Sequence, residues 1–167
     1  MVETADVGTA SGGTAGVERA ATAAAIVVPS YDEVEVGTSL PEQTFQVRRV
    51  DLIRYAGASG DDNVIHWNER LARAVGLPDV IAHGMFTMAL AGRVVTDWVG
   101  DPARVVQYQV RFTKPVVVPD DETGASLVVR GTVESRRDAD RSVVVGVEAR
   151  VDGDKVLTAA RAVVRLR

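Results

Sequence analysis

Only two histidines, His66 and His83, occur in the 167-residue chain, and there is no cysteine. Both fall in a stretch punctuated by glycine, and loops held by a rigid scaffold are where reactive groups concentrate. The first cluster is Ser59-Gly60-Asp61-Asp62-Asn63-Val64-Ile65-His66. Asn63 favours turn geometry, so the chain can fold back and bring the Asp61 carboxylate toward the His66 imidazole. Such a pair moves protons: each group shifts the other's pKa, and a shared water is polarised between them. Residue types alone favour a plainer reading, an Asp/Asn-rich turn with a histidine packed by chance. Metal binding by Asp61, Asn63, His66 and His83 is a third reading. An EF-hand loop needs an oxygen ligand where Ile65 stands and no zinc spacing is matched, so no metal is assigned.

The second cluster is Ile81-Ala82-His83-Gly84-Met85, directly ahead of an apolar helical stretch. A helix N-terminus presents unpaired N–H groups at the positive end of its dipole. Gly84 leaves its amide open to close approach, so an oxyanion or thioester carbonyl could be polarised there. The equal alternative makes Gly84 a packing residue and His83 a satisfied structural histidine. Tyr55, Trp67 and Trp98 read as core or rim aromatics. Arg161, Arg165 and Arg167 read as a solvated strand face rather than phosphate contacts.

These clusters need elements to hold them. A first strand is expected near Gln43–Arg48. Asp51 reads as an N-cap for a helix carrying Leu52, Ile53, Tyr55 and Ala56, with Gly57 and Gly60 ending it. Asn68 to Gly76 reads as a short helix with its cap and stop. Leu77–Ala82 reads as a loop or short extended piece. Gly84–Val99 is apolar on most faces, which predicts a buried helix ended at Gly100-Asp101-Pro102. The period then changes. Val105–Phe112, Ser126–Arg136, Ser142–Asp152 and Lys155–Arg167 are Val-rich, partly alternating strands, with an Asp152-Gly153 hairpin signal. One buried helix followed by long antiparallel strands implies an α+β domain, a curved sheet wrapped around a central helix.

Composition narrows the function classes. The formal charge of −4 argues against nucleic-acid binding, which needs a basic face. Lack of cysteine removes disulfides, thiolate metal sites and thiol nucleophiles, and it is compatible with a reducing, cytoplasmic location. No apolar run approaches the ~20 residues of a membrane span, and Ala20–Pro29 lacks the basic segment of a secretory signal. Residues 1–30 are Ala-, Gly- and Thr-rich and are expected to be a disordered tail, with a single domain over 31–167.

Ordered along the chain, Tyr55…Ser59-Gly60-Asp61-Asp62-Asn63-Val64-Ile65-His66, Ala82-His83-Gly84-Met85 and Phe112-Thr113-Lys114-Pro115-Val116 resemble the MaoC-like (R)-specific enoyl hydratase/dehydratase family. Ile65-His66-Trp67, Ile81–Met85 and Trp98–Pro102 resemble most the catalytic B-type subunits of actinobacterial (3R)-hydroxyacyl-ACP dehydratases. The resemblance implies a hot-dog fold, an antiparallel sheet wrapped around a long helix. It implies Asp61 and His66 as the catalytic pair, the Gly84 amide as the group polarising a thioester carbonyl, and Asn63 and His83 as loop support. Family members commonly have proline where this chain has Val64. Some relatives carry a serine on the central helix where this chain has Gly92, so Thr87 is the candidate substitute as a substrate contact. The implied substrate is an acyl thioester on acyl carrier protein or coenzyme A, with no metal or redox cofactor. The implied assembly is a homodimer, or a heterodimer with a non-catalytic hot-dog subunit, which covers exposed strand edges. A thioesterase, or a non-catalytic acyl-binding subunit, would suit the same fold.

Overall fold

A computed structural model describes residues 29–167. The expected tail therefore lies almost wholly outside the described residues. Five antiparallel strands form one sheet: β1 (Gln43–Val47), β2 (Val105–Phe112), β3 (Ala125–Arg137), β4 (Ser142–Val151) and β5 (Asp154–Arg165). Their spatial order is β1-β3-β4-β5-β2. The three longest strands are consecutive and joined by tight turns, as the Asp152-Gly153 signal predicts. β2 crosses back to the far side of β5, and β1 lies on the outer side of β3, so each of these two strands pairs with one neighbour only.

Helix α3 (Gly84–Val99) fills the concave face. Its Ala91, Val94, Val95 and Val99 are buried with Val129 and Val133 of β3, Val143, Val145 and Ala149 of β4, and Ala162 and Val164 of β5. Each fully buried valine of this kind contributes roughly 1.5–3 kcal/mol relative to exposure. The helix is not buried on every face: Gly84, Met85, Arg93 and Asp97 stay exposed. The result is the hot-dog architecture, α+β in class, with α3 held by the Val-rich strands.

Helix α1 (Arg49–Ser59) begins two residues before the expected cap. Arg48 is the N-cap, and Asp51 sits at the third helical position, where its carboxylate accepts the Arg48 N–H at 3.0 Å. An aspartate serves a helix start from either position, since both place an acceptor on an orphan N–H. Gly57 lies inside the helix. Gly60, with φ of 74°, is the left-handed residue that ends it. Helix α2 (Glu69–Ala74) is capped as expected by Asn68, whose side chain accepts the Leu71 N–H at 3.1 Å.

Candidate active site

The loop after α1 is built by its own side chains. Ser59 Oγ accepts the Asp61 N–H at 3.2 Å, an Asp61 carboxylate oxygen accepts the Asn63 N–H at 3.4 Å, and Asn63 Oδ1 accepts the Ile65 N–H at 3.3 Å. Three polar residues at a spacing of two thus each engage the amide two residues on, the local bonding that Ser, Asp and Asn favour. The ladder runs into a single 3₁₀ turn, Val64–His66, which Asn63 caps. Trp67 is half-exposed, and its indole N–H donates to the Asp62 carbonyl at 2.9 Å.

His66 is buried, and its Nδ1 lies 2.7 Å from the Ile81 carbonyl. A carbonyl only accepts, so Nδ1 carries the proton and the neutral ring keeps a bare Nε2. Burial pushes the His66 imidazole below its ordinary pKa; the bond to Ile81 acts the other way and the neighbouring His83 adds to the lowering. At neutral pH His66 is therefore a proton acceptor.

The Ile81 carbonyl is itself fixed. Residues 80–82 form a short extended piece pinned on both sides. Ile81 N–H donates to Ile65 at 3.2 Å, Ala82 N–H to Val116 at 2.8 Å, and Val118 N–H to Val80 at 2.9 Å. Arg49 ties this piece to α1, donating to Asp79 at 2.7 Å and to the Val118 carbonyl at 2.9 Å. The reading of Leu77–Ala82 as a loop or short extended piece is met by both, a bend at Pro78 and Asp79 and then the extended residues 80–82, but its use as an anchor for His66 has no local sequence signal.

His83, fully buried at the N-cap of α3, donates through Nε2 to the Asp61 carbonyl at 3.0 Å. Its ring stacks on His66 with centroids 3.8 Å apart and an interplanar angle of 25°. Tyr55 packs on it as well, at 4.8 Å. Nitrogen atoms of the two histidines and a carboxylate oxygen of Asp61 all lie within 4.8 Å of one another. Near-parallel rings do not converge their in-plane lone pairs on one point. The trio is thus a poor ligand set for a metal and a good proton-transfer cluster.

A cleft of about 310 Å³ opens beside this cluster, lined by His66, Gly84, Thr87, Phe112 and the Thr113–Val116 segment. Gly84 is the first residue of α3, and among the described residues its N–H has no acceptor. A β-carbon there would come 3.3 Å from the Phe112 ring, so the residue must be small where helix meets β2. Thr87 is buried in the cleft wall, and its hydroxyl donates back to the His83 carbonyl at 3.2 Å. At Gly92 the space for a side chain is taken by Tyr108, whose ring would lie 3.1 Å from a β-carbon at that position. The Tyr108 hydroxyl donates to the Met88 carbonyl at 3.2 Å. His66, Gly84 and Thr87 therefore line one cleft, Asp61 and His83 cluster with His66, and Asn63 shapes the loop that carries Asp61 and His66.

Comparison with known proteins gives a consistent result. The MaoC-like domain matches residues 33–152. A 3-hydroxyacyl-thioester dehydratase X from Mycobacterium tuberculosis is 40% identical over 79 residues, covering 47% of this chain and 27% of that protein. A solved MaoC-like dehydratase superposes with a TM-score of 0.81 at 41% identity, covering 84% of this chain and 43% of the other. The unliganded R-hydratase PhaJ1 from Pseudomonas aeruginosa superposes with a TM-score of 0.70 at 27% identity, covering 82% and 84%. The chain thus spans about a quarter of the first protein's length and under half of the second's. Among the described residues no helix is long and apolar enough to cross a membrane.

Proposed function

The chain belongs to the MaoC-like dehydratase family, and from that premise we propose that it catalyses reversible syn addition of water to a trans-2-enoyl thioester, giving the (3R)-hydroxyacyl thioester. One observation carries the reading: a bare imidazole nitrogen and an unpaired helix N-terminal amide share one cleft, and a carboxylate oxygen lies within 4.8 Å of a nitrogen of that imidazole. In the hydration direction a water lies between Asp61 and His66. Its oxygen bonds to C3 as its proton passes to the pair, with His66 Nε2 as acceptor. The π electrons move through C2 onto the thioester oxygen, and the Gly84 N–H stabilises that developing enolate. The pair then returns the proton to C2 from the same face, which makes the addition syn. Asn63 and His83 support the loop, and Thr87 borders the acyl group.

The carrier and the partner go further. The motifs around His66, His83 and Trp98 favour acyl carrier protein as carrier and a role in fatty-acid elongation, like the B subunit (HadB) of the actinobacterial (3R)-hydroxyacyl-ACP dehydratase. The likeness to an (R)-specific enoyl-CoA hydratase from Rhodospirillum rubrum, 27% identical over 67% of this chain and 77% of that protein, favours a second reading, an (R)-specific hydratase acting on coenzyme A thioesters. A partner is part of the proposal, as a second copy or a non-catalytic hot-dog subunit. β2 has one unpaired edge, with Val106 and Phe112 about half-exposed on it. A purely acyl-binding role would not need a bare imidazole beside a carboxylate.

The test is a spectroscopic hydration assay with trans-2-enoyl thioesters of both carriers, on wild type, Asp61→Asn and His66→Gln. Wild-type turnover with both variants folded and down by on the order of a hundredfold or more supports the pair. An inert wild type, alone and with its partner on either carrier, overturns the hydratase reading. The ratio of turnover on the two carriers separates the two substrate readings.

A further inference from the structure

His83 has one ring nitrogen bonded, to the carbonyl of Asp61, and one, Nδ1, buried with no partner. A buried polar atom without a partner costs roughly 1–3 kcal/mol and calls for an explanation. Because a carbonyl must receive a proton, Nε2 is the protonated atom and Nδ1 is the bare one. The titratable groups facing His83 are His66 and Asp61 from the loop and Tyr55 from α1. From its own helix the neighbouring polar group is the Thr87 hydroxyl, which bonds the His83 carbonyl.

His83 touches both proposed reactive residues in different ways. It holds Asp61 through that residue's main chain, and it supports His66 through the ring face at 3.8 Å. His66 is also tied to Ile81, two residues before His83, so a displaced His83 would shift both members of the pair against each other. We propose that His83 is a positioning residue: a single imidazole, bonded through Nε2 to the Asp61 carbonyl and stacked on His66, sets the separation of Asp61 and His66. The proposal rests on the reading of those two residues as the reactive pair. It assigns His83 more than loop support, since bond and stack must act together.

The experiment compares full-length wild type, His83→Phe, which keeps a flat ring and loses the donor, and His83→Gln, which keeps a donor and loses the ring. Asp61→Asn and His66→Gln run in parallel on one trans-2-enoyl-CoA substrate. Misplacement of about 1 Å is worth up to about a hundredfold in rate. The expected result is a fall in kcat of about tenfold or more for His83→Phe, with KM changed by less than about threefold, and partial recovery in His83→Gln. Wild-type kcat in both would overturn the proposal, provided Asp61→Asn and His66→Gln are inactive. Activity in those last two would instead overturn the underlying reading. If the His83 variants do not fold, ¹⁵N imidazole shifts of wild type decide: a protonated Nε2 and bare Nδ1 on His83 at neutral pH are expected, and the opposite tautomer refutes the device.

Discussion

Two depressions of similar size lie on the two sides of the sheet. The inner one, about 310 Å³, lies between the start of α3 and the end of β2. The outer one, about 400 Å³, lies across β3, β4 and β5. The outer depression carries more charge, yet every charged side chain lining it is paired. Glu134 meets Arg161 at 2.6 Å, Glu148 meets Arg150 and Lys155, and Arg130 meets Glu42. Those donors hold the Glu148 carboxyl well below its usual range, at about 2, with the bonds from Arg150 and Lys155 as the main cause. The inner depression has little charge but leaves bonding capacity unspent, on His66 Nε2 and the Gly84 N–H. Chemistry needs groups that are positioned and still free. Charge alone, satisfied within the protein, marks a stable surface.

The largest effect that would sharpen this contrast is in the inner pair. Combining Asp61→Asn with His66→Gln should cost no more than the worse single change, since groups acting as a unit are not additive. A multiplicative loss in kcat/KM would break the idea that the two act on one water. Next comes pH. On the proposed mechanism His66 acts unprotonated, and its pKa lies below the ordinary imidazole value of about 6.5, so kcat/KM should hold as pH falls to that value. Below its own pKa the rate should drop about tenfold per unit. A limb above about 6.5 would mean another group controls the rate.

A smaller effect is expected at Gly84→Ala. The amide remains, but the new methyl group presses on Phe112 at 3.3 Å, an overpacking that costs about 1–3 kcal/mol where the ring cannot yield. A moderate loss of kcat, with recovery on adding Phe112→Leu, is the expected pattern in steady-state kinetics. Val64→Pro should be milder still. Asn63 already has φ of −53° and ψ of 127°, the extended region a residue before proline takes, and the Val64 N–H has no acceptor among the described residues. Activity within about twofold and a gain of about 0.4–1 kcal/mol in denaturant unfolding are expected. The smallest effect belongs to the outer depression: Glu134→Gln should leave turnover unchanged and shift stability by less than about 1 kcal/mol.

What could be read from sequence follows the range of the interactions. The 59–66 loop was legible because Ser59, Asp61 and Asn63 bond amides two residues away. Helix α3 and the strands of β3–β5 were legible from hydrophobic period and turn chemistry. The start of α1 was misplaced because Asp51 suits the N-cap and the third helical position about equally. The stack of His66 on His83 was not legible. It depends on residues 80–82 being pinned between Ile65 and Val116–Val118, and no local pattern encodes that.

The same pinning bears on the order in which the molecule forms. β3, β4 and β5 close through short turns, whereas the Ala82–Val116 bond must bring together residues separated by all of α3 and β2. Closing such a span costs chain entropy before it returns any contact. The cleft is therefore expected to assemble after the β3–β4–β5 hairpins and the helix, and recovery of activity on refolding should lag behind recovery of the far-ultraviolet signal.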